Sequence, residues 1–159
     1  MTRKKTDEVK YFRISSVHPV ADFGLLVQFR NGETRLYDVK SCFEKWPVFN
    51  KLKKHPRNFY DVVVDTGGLG VIWDDEIDLG CNELYYGGKR VKTPFTGLIS
   101  ASDATKYWGL NESTLRKAIS YGKLRDGTDV QKFGKQWVVS FAAMKRVYGD
   151  PKTELILQQ

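Results

Sequence analysis

Residues Ser100 to Val139 constrain the fold of this chain more than any other stretch. Ser100 stands three positions before Asp103, an acidic variant of the pairing that caps a helix start, so a helix is expected from Ala101. Ala104 and Trp108, four apart, give that helix one apolar face, and Gly109 breaks it. Leu110 can plug the turn into a core. Asn111 can cap a second helix running to about Tyr121, with Glu112 placed favourably against its dipole. Beyond Gly122, the run Val130 to Phe133, the turn Gly134-Lys135 and the run Gln136 to Val139 read as a hairpin. Two short helices, a tight turn and a basic hairpin have the layout of a helix-turn-helix with a wing. Such a layout suggests insertion of one helix into a DNA major groove.

The second helix carries an inward stripe of Leu115, Ala118 and Ile119, which leaves Ser113, Arg116, Lys117 and Ser120 on the other face at i, i+3, i+4 and i+7. Arg116 suits the two-pronged contact that guanine offers in the major groove. Ser113 and Thr114, in the first turn, can reach a base or a phosphate, and Lys117 suits the backbone. Ser140 is placed to cap a closing helix through Tyr148, with Phe141, Met144, Val147 and Tyr148 inward and Gly149 and Pro151 as its stop. Trp108 and Trp137 are assigned to the core rather than to base stacking.

Charge points the same way. Residues 1 to 90 hold 15 Lys and Arg against 13 Asp and Glu, whereas residues 91 to 159 hold 11 against 6. Between Arg116 and Arg146 the cations are opposed only by Asp126 and Asp129, a balance that favours a polyanion partner.

The 159 residues can hold one ordinary domain or two small ones, and two is the reading adopted. No apolar run approaches the roughly 18 residues of a membrane span. Met1 to Val9 is a charged leader, expected to be disordered at its start, with no apolar segment behind it, so a cytoplasmic protein is expected. Cys42 and Cys81 lie far apart without metal-ligand spacing and read as reduced, idle thiols.

Ahead of the helical half, Ile14 to Val17 and Leu25 to Phe29 read as strands. Asn31-Gly32 reads as a two-residue hairpin turn with left-handed dihedrals, and Thr34 to Asp38 as the returning strand. Val39 to Leu52, interrupted by Pro47, predicts one or two short helices. Phe59 to Asp65 and Leu69 to Trp73 flank the Gly67-Gly68 turn as a second hairpin, and Cys81 to Tyr85 can add a last helical turn. The fold class is therefore α+β: a small N-terminal domain of antiparallel hairpins with short helices, then a mainly α winged domain. Paired glycines, a basic run and Pro94 give residues 89–97 linker composition, placing the domains at 1–88 (with 1–10 disordered) and 98–159.

No catalytic constellation emerges, and no enzyme or cofactor is expected. His18 and His55 each precede a proline and have no nucleophile arranged around them. Gly67-Gly68-Leu69-Gly70 lacks the lysine and helix start of a phosphate loop. Together with Asp65, the residues Asp74, Asp75, Glu76 and Asp78 form the densest acidic cluster. Their spacing lacks the glycine and closing glutamate of a calcium loop, so a solvated turn is the leading reading, with a protein-binding patch next and no metal site assigned.

Two resemblances add to this. Ile14-x-x-Val17, Asp22-Phe23, Val27-x-Phe29-x-Asn31-Gly32-Glu33, Tyr37-Asp38-Val39, Asp65-x-Gly67-Gly68-x-Gly70 and Trp73-Asp74-Asp75-Glu76-x-Asp78-Leu79, followed by Glu83-Leu84-Tyr85, resemble the small bacterial domain family DUF2442. That family implies a small α+β domain, found in bacterial operons and sometimes beside a toxin-like gene. Ile99-Ser100-Ala101-Ser102-Asp103-Ala104, Trp108-Gly109-Leu110, Ser113-Thr114-Leu115-Arg116, Gly122-Lys123-Leu124 and Gly134-Lys135-Gln136-Trp137-Val138 resemble the excisionase and MerR-like winged helix-turn-helix group. This second resemblance implies Ser113, Thr114, Arg116 and Lys117 at base edges and backbone, and Lys132 and Lys135 on the wing. The stretch Arg125 to Asp129 departs from the pattern by lengthening the link and adding two acids.

The expected function is a sequence-specific, DNA-binding transcriptional regulator of bacterial or phage origin, acting on double-stranded DNA as a homodimer or with a protein partner. An antitoxin that represses its own operon fits that description. The alternative is a protein-binding inhibitor of a toxin or of a host nuclease such as a CRISPR effector, working through the acidic patch, with the helix-turn-helix as a scaffold or for autoregulation.

Overall fold

The structure, a computed structural model, describes residues 8–152 and 155–157 of the chain. The disorder expected at the start of the leader falls on residues 1–7, outside the described residues. Two compact units divide the chain: Tyr11–Thr96 form one, and the stretch from Gly97 onward, together with the initial strand β1 (Glu8–Lys10), forms the other. Among the described residues no helix is long and apolar enough to cross a membrane.

In the first unit, β2 (Ile14–Val20), β3 (Gly24–Phe29) and β4 (Thr34–Asp38) form an antiparallel meander. Strand alternation explains its core face, because Leu25, Val27 and Phe29 are buried while Leu26 and Gln28 between them are not. The chain then folds into α1 (Lys40–Lys45) and α2 (Asn50–Lys54). Between them Pro47 opens a 3-10 turn, since its ring fixes a helical φ but supplies no N–H to continue α1. A second 3-10 segment, Pro56–Asp61, occupies the beginning of the β-branched run, so the expected strand shrinks to β5 (Val63–Val64). This pairs with β6 (Gly70–Ile72), and β6 with β7 (Asp78–Gly80), before α3 (Cys81–Gly87) closes the core. Tyr37 Oη donates to Glu83 Oε1 at 2.9 Å, tying β4 to α3, and burial holds that phenol well above its ordinary pKa.

Three local expectations are corrected. The Asn31-Gly32 turn is not a two-residue turn: Phe29 N–H donates to the Glu33 carbonyl at 2.8 Å and Gly32 N–H to the Phe29 carbonyl at 3.0 Å, and only Gly32 takes a positive φ, 90°. This is a three-residue loop, a turn through Arg30 and Asn31 followed by a left-handed glycine. The Asn31 amide helps to set it by accepting from Glu33 N–H and donating to the Glu33 carboxylate, both at 3.0 Å. Residues assigned to the linker also belong to the fold, because Lys89–Val91 form β8, which pairs with β4 and completes a four-stranded sheet in the order β2-β3-β4-β8. Backbone bonding along an edge leaves a basic, exposed segment with no apolar signature, so composition alone mistakes it for a tether.

In the second unit, β9 (Leu98–Ser100) leads into α4 (Ala101–Trp108) and α5 (Glu112–Ser120). The hairpin β10 (Val130–Phe133) and β11 (Gln136–Ser140) follows, then α6 (Phe141–Tyr148). The sheet order is β10-β11-β9, so the hairpin is anchored to the strand that feeds α4. Trp108, Leu124, Ala143 and Met144 lie at the centre of the core. The third correction is at the chain start: Glu8–Lys10, read as part of a disordered leader, pairs antiparallel with β12 (Leu155–Leu157).

Gly67 and Gly68 both take positive φ, 71° and 73°, but their surroundings differ. A Cβ on Gly68 would come within 2.4 Å of the Ile14 carbonyl oxygen, whereas one on Gly67 would meet only Arg13 Nη1 at 3.8 Å. Gly67→Ala is expected to cost about 1–3 kcal/mol through backbone strain alone. Gly68→Ala should cost clearly more, because β2 must move as well; chemical denaturation of the full chain compares the two.

Candidate nucleic-acid interface

The geometry of the helix pair follows from its caps. Ser100 Oγ accepts from Asp103 N–H at 3.0 Å and so satisfies one of the free donors at the start of α4. At its end Gly109 turns left-handed, with φ 65°. The Gly109 N–H reaches the Lys106 carbonyl at 3.4 Å and the Leu110 N–H the Thr105 carbonyl at 2.8 Å, the bond pair of a Schellman stop. Asn111 occupies the N-cap position of α5, yet its side chain makes no capping bond; its backbone carbonyl accepts from Thr114 and Leu115 instead.

With Leu115 and Ala118 buried, α5 turns Ser113, Arg116, Lys117 and Ser120 to solvent, while Thr114 is half-buried. No acidic side chain is on this face beyond Glu112 in the first turn. On the hairpin, Gly134 takes φ 60°, which suits the first central residue of a two-residue turn and gives β10 and β11 a tight tip. Lys132 and Lys135 are exposed there, Lys132 opposite Trp137 with its ammonium 5.9 Å from the indole ring. Trp137 itself is half-buried against the core, and Trp108 is 1% exposed.

The link before the wing, Arg125 to Asp129, is an organised loop. Asp129 N–H and Val130 N–H both donate to the Arg125 carbonyl, at 2.8 and 3.2 Å, and Leu124 is fully buried. Asp129 is 8% exposed, and its Oδ2 accepts from Arg125 N–H at 2.9 Å and from Arg146 Nη2 at 2.6 Å. The Arg146 guanidinium, helped by the Arg125 backbone bond, holds this carboxyl below the usual Asp value of 3.8. One of the two acids that interrupt the basic stretch is therefore engaged internally. Tyr121, 77% exposed immediately after α5, escapes sequence reasoning, because helix periodicity marks it as the end of the helix rather than as part of its surface.

The acidic cluster of the first unit is used differently. Asp74 Oδ1 accepts from Glu76 N–H at 2.8 Å and Ile77 N–H at 3.0 Å, so this carboxylate builds its own turn. Glu76 pairs with Lys51, while Asp75 and Asp78 are exposed. Among the described residues no group of three or more His, Cys, Asp or Glu side chains is placed to hold a metal ion.

Because the folded-state pKa of Asp129 is depressed, its contribution to stability is complete above the unfolded value and fades as pH falls through the folded one. Asp129→Asn is therefore expected to lower stability at pH 7 by about 2 kcal/mol, the scale of a charged hydrogen bond. The gap to wild type should close only in strongly acidic solution, which denaturation measured across a pH series checks.

Comparison with known proteins finds two family matches. Residues 14–90 match the family model described as "Protein of unknown function (DUF2442)". Residues 92–153 match the one described as "Helix-turn-helix domain". No curated protein and no solved structure matches the chain. Two family matches thus follow one another along the chain, DUF2442 over residues 14–90 and the helix-turn-helix domain over residues 92–153.

Proposed function

We propose that this chain is a sequence-specific regulator that binds double-stranded DNA, with α5 in the major groove and the β10–β11 hairpin on the flanking backbone. The observation that carries the reading is the polarity of α5. Its buried side is fixed into the core by Leu115 and Ala118, and the opposite side offers Ser113, Arg116, Lys117 and Ser120 to solvent. An α-helix of that kind fits the width of the major groove, and Arg116 supplies the residue type best suited to guanine. Thr114, being half-buried, is assigned to a backbone phosphate near the start of α5, and Lys132 and Lys135 to phosphates beside the groove.

A single helix and one hairpin reach few bases, so binding as a homodimer to a two-part operator is part of the proposal, and the operator is sought upstream of the chain's own gene. Autorepression is the regulatory role that follows, and an antitoxin is one class of protein that works this way. The protein-binding reading of Asp74, Asp75, Glu76 and Asp78 has less behind it, since Asp74 builds its own turn and Glu76 is paired with Lys51.

Titration of fluorescent upstream DNA tests the proposal. Arg116→Ala should reduce the preference for that DNA over an unrelated duplex by roughly tenfold to hundredfold, corresponding to about 1–3 kcal/mol. Lys117→Ala should weaken binding to both duplexes by a similar factor. Unchanged binding in both variants would overturn the assignment of α5.

A further inference from the structure

A second basic feature lies on the same unit, in residues outside α5. Gly122, Lys123, Arg125, Thr128, Asp129 and Arg146 line a polar groove contributed by the loop that follows α5 and by α6. Three cations and one carboxylate line it, which leaves two positive charges in excess. The negative charge of the carboxylate is paired, because Asp129 is buried and its Oδ2 is held by Arg125 N–H and the Arg146 guanidinium, and the net excess rests on Lys123 and Arg125.

That bond also positions the Arg146 guanidinium. A guanidinium has five N–H donors in a rigid fork, and the bond to Asp129 is made from a single nitrogen, Nη2, while the side chain stays 58% exposed. The fork is therefore oriented in advance by a buried anchor, with Lys123, Arg125 and the Thr128 hydroxyl on the same groove. Such a set fits a tetrahedral, singly charged oxyanion. Gly122, with φ 79° and open space around its Cα, brings the chain off α5 directly into the groove.

We propose that this groove binds one backbone phosphodiester of the DNA and clamps the C-terminal end of α5, an anchor additional to the α5 face and the hairpin. This inference rests on the DNA-binding reading. It adds that the loop Arg125 to Asp129, which lengthens the link to the wing, is itself part of the interface.

Counterion release provides the test, because each phosphate that the protein neutralises adds about 0.9 to the steepness of log K against log salt. Lys123→Gln and Arg125→Gln in the full chain should each make the slope shallower, by about 1 at most and by no more when combined, and weaken binding to upstream and unrelated duplexes by the same factor. Arg146→Lys retains the charge and a partner for Asp129 but removes the fork, so it should weaken binding with the slope kept. Lys54→Gln, an exposed cation of the first unit, should leave the slope unchanged. Thermal melting checks that each variant is folded. Wild-type slopes in folded Lys123→Gln and Arg125→Gln, or an equal change in Lys54→Gln, would overturn the groove while leaving the α5 assignment standing. If the wild type itself shows no salt-dependent binding, the DNA reading fails and the groove with it.

Discussion

Burial of Trp108 is the interaction on which the helix-turn-helix unit depends. The indole is the last residue of α4, and its ring lies 5.3 Å from that of Phe141, the first residue of α6. Its Nε1 donates to the Gly149 carbonyl at 2.7 Å, just past the end of α6. One side chain therefore holds both ends of α6 to the end of α4. Burying an aromatic of this size contributes about 2–3 kcal/mol, and its polar handle is satisfied. The Schellman stop begins at the next residue, so the direction in which α5 leaves is set beside this buried indole.

What α5 can present follows from that placement. Leu115 and Ala118 complete the core from one side, and the polar residues between them must then face outward. Asp129 has a similar organising part in the loop after α5, where one buried carboxylate holds a backbone N–H of the loop and a guanidinium of α6. An acid that looks unfavourable in a basic segment thus anchors the Arg146 guanidinium and the backbone of the loop.

How much of this the sequence reveals depends on whether the determining bond is local. Ser100 and Ser140 each cap the helix that follows, through Asp103 N–H and Ala143 N–H at 3.0 Å in both cases, and these bonds span only three residues. Gly109 is legible for the same reason. The α+β class and the helix-turn-helix with its hairpin follow from such signals. By contrast, Lys89–Val91 and Glu8–Lys10 are strands because of partners far away in the chain, at Thr34–Leu36 and Leu155–Leu157, and nothing in their composition shows it. The Asn31-Gly32 turn shows another limit, since the dipeptide suits two loop lengths and only the pairing of Phe29 with Glu33 selects between them. The groove around Arg146 joins residues more than 20 positions apart, so a reading based on helix periodicity separates its members.

The reading stands or falls with contact between the surface of α5 and DNA. Amide chemical-shift mapping of the full chain against upstream duplex DNA tests it most directly, because it asks every residue at once. Shifts are expected in Glu112–Ser120 and in the hairpin from Val130 to Gln136, together with the groove loop Lys123 to Asp129. Shifts confined to Tyr11–Thr96, or none at DNA concentrations that saturate a salt-dependent complex, would contradict it.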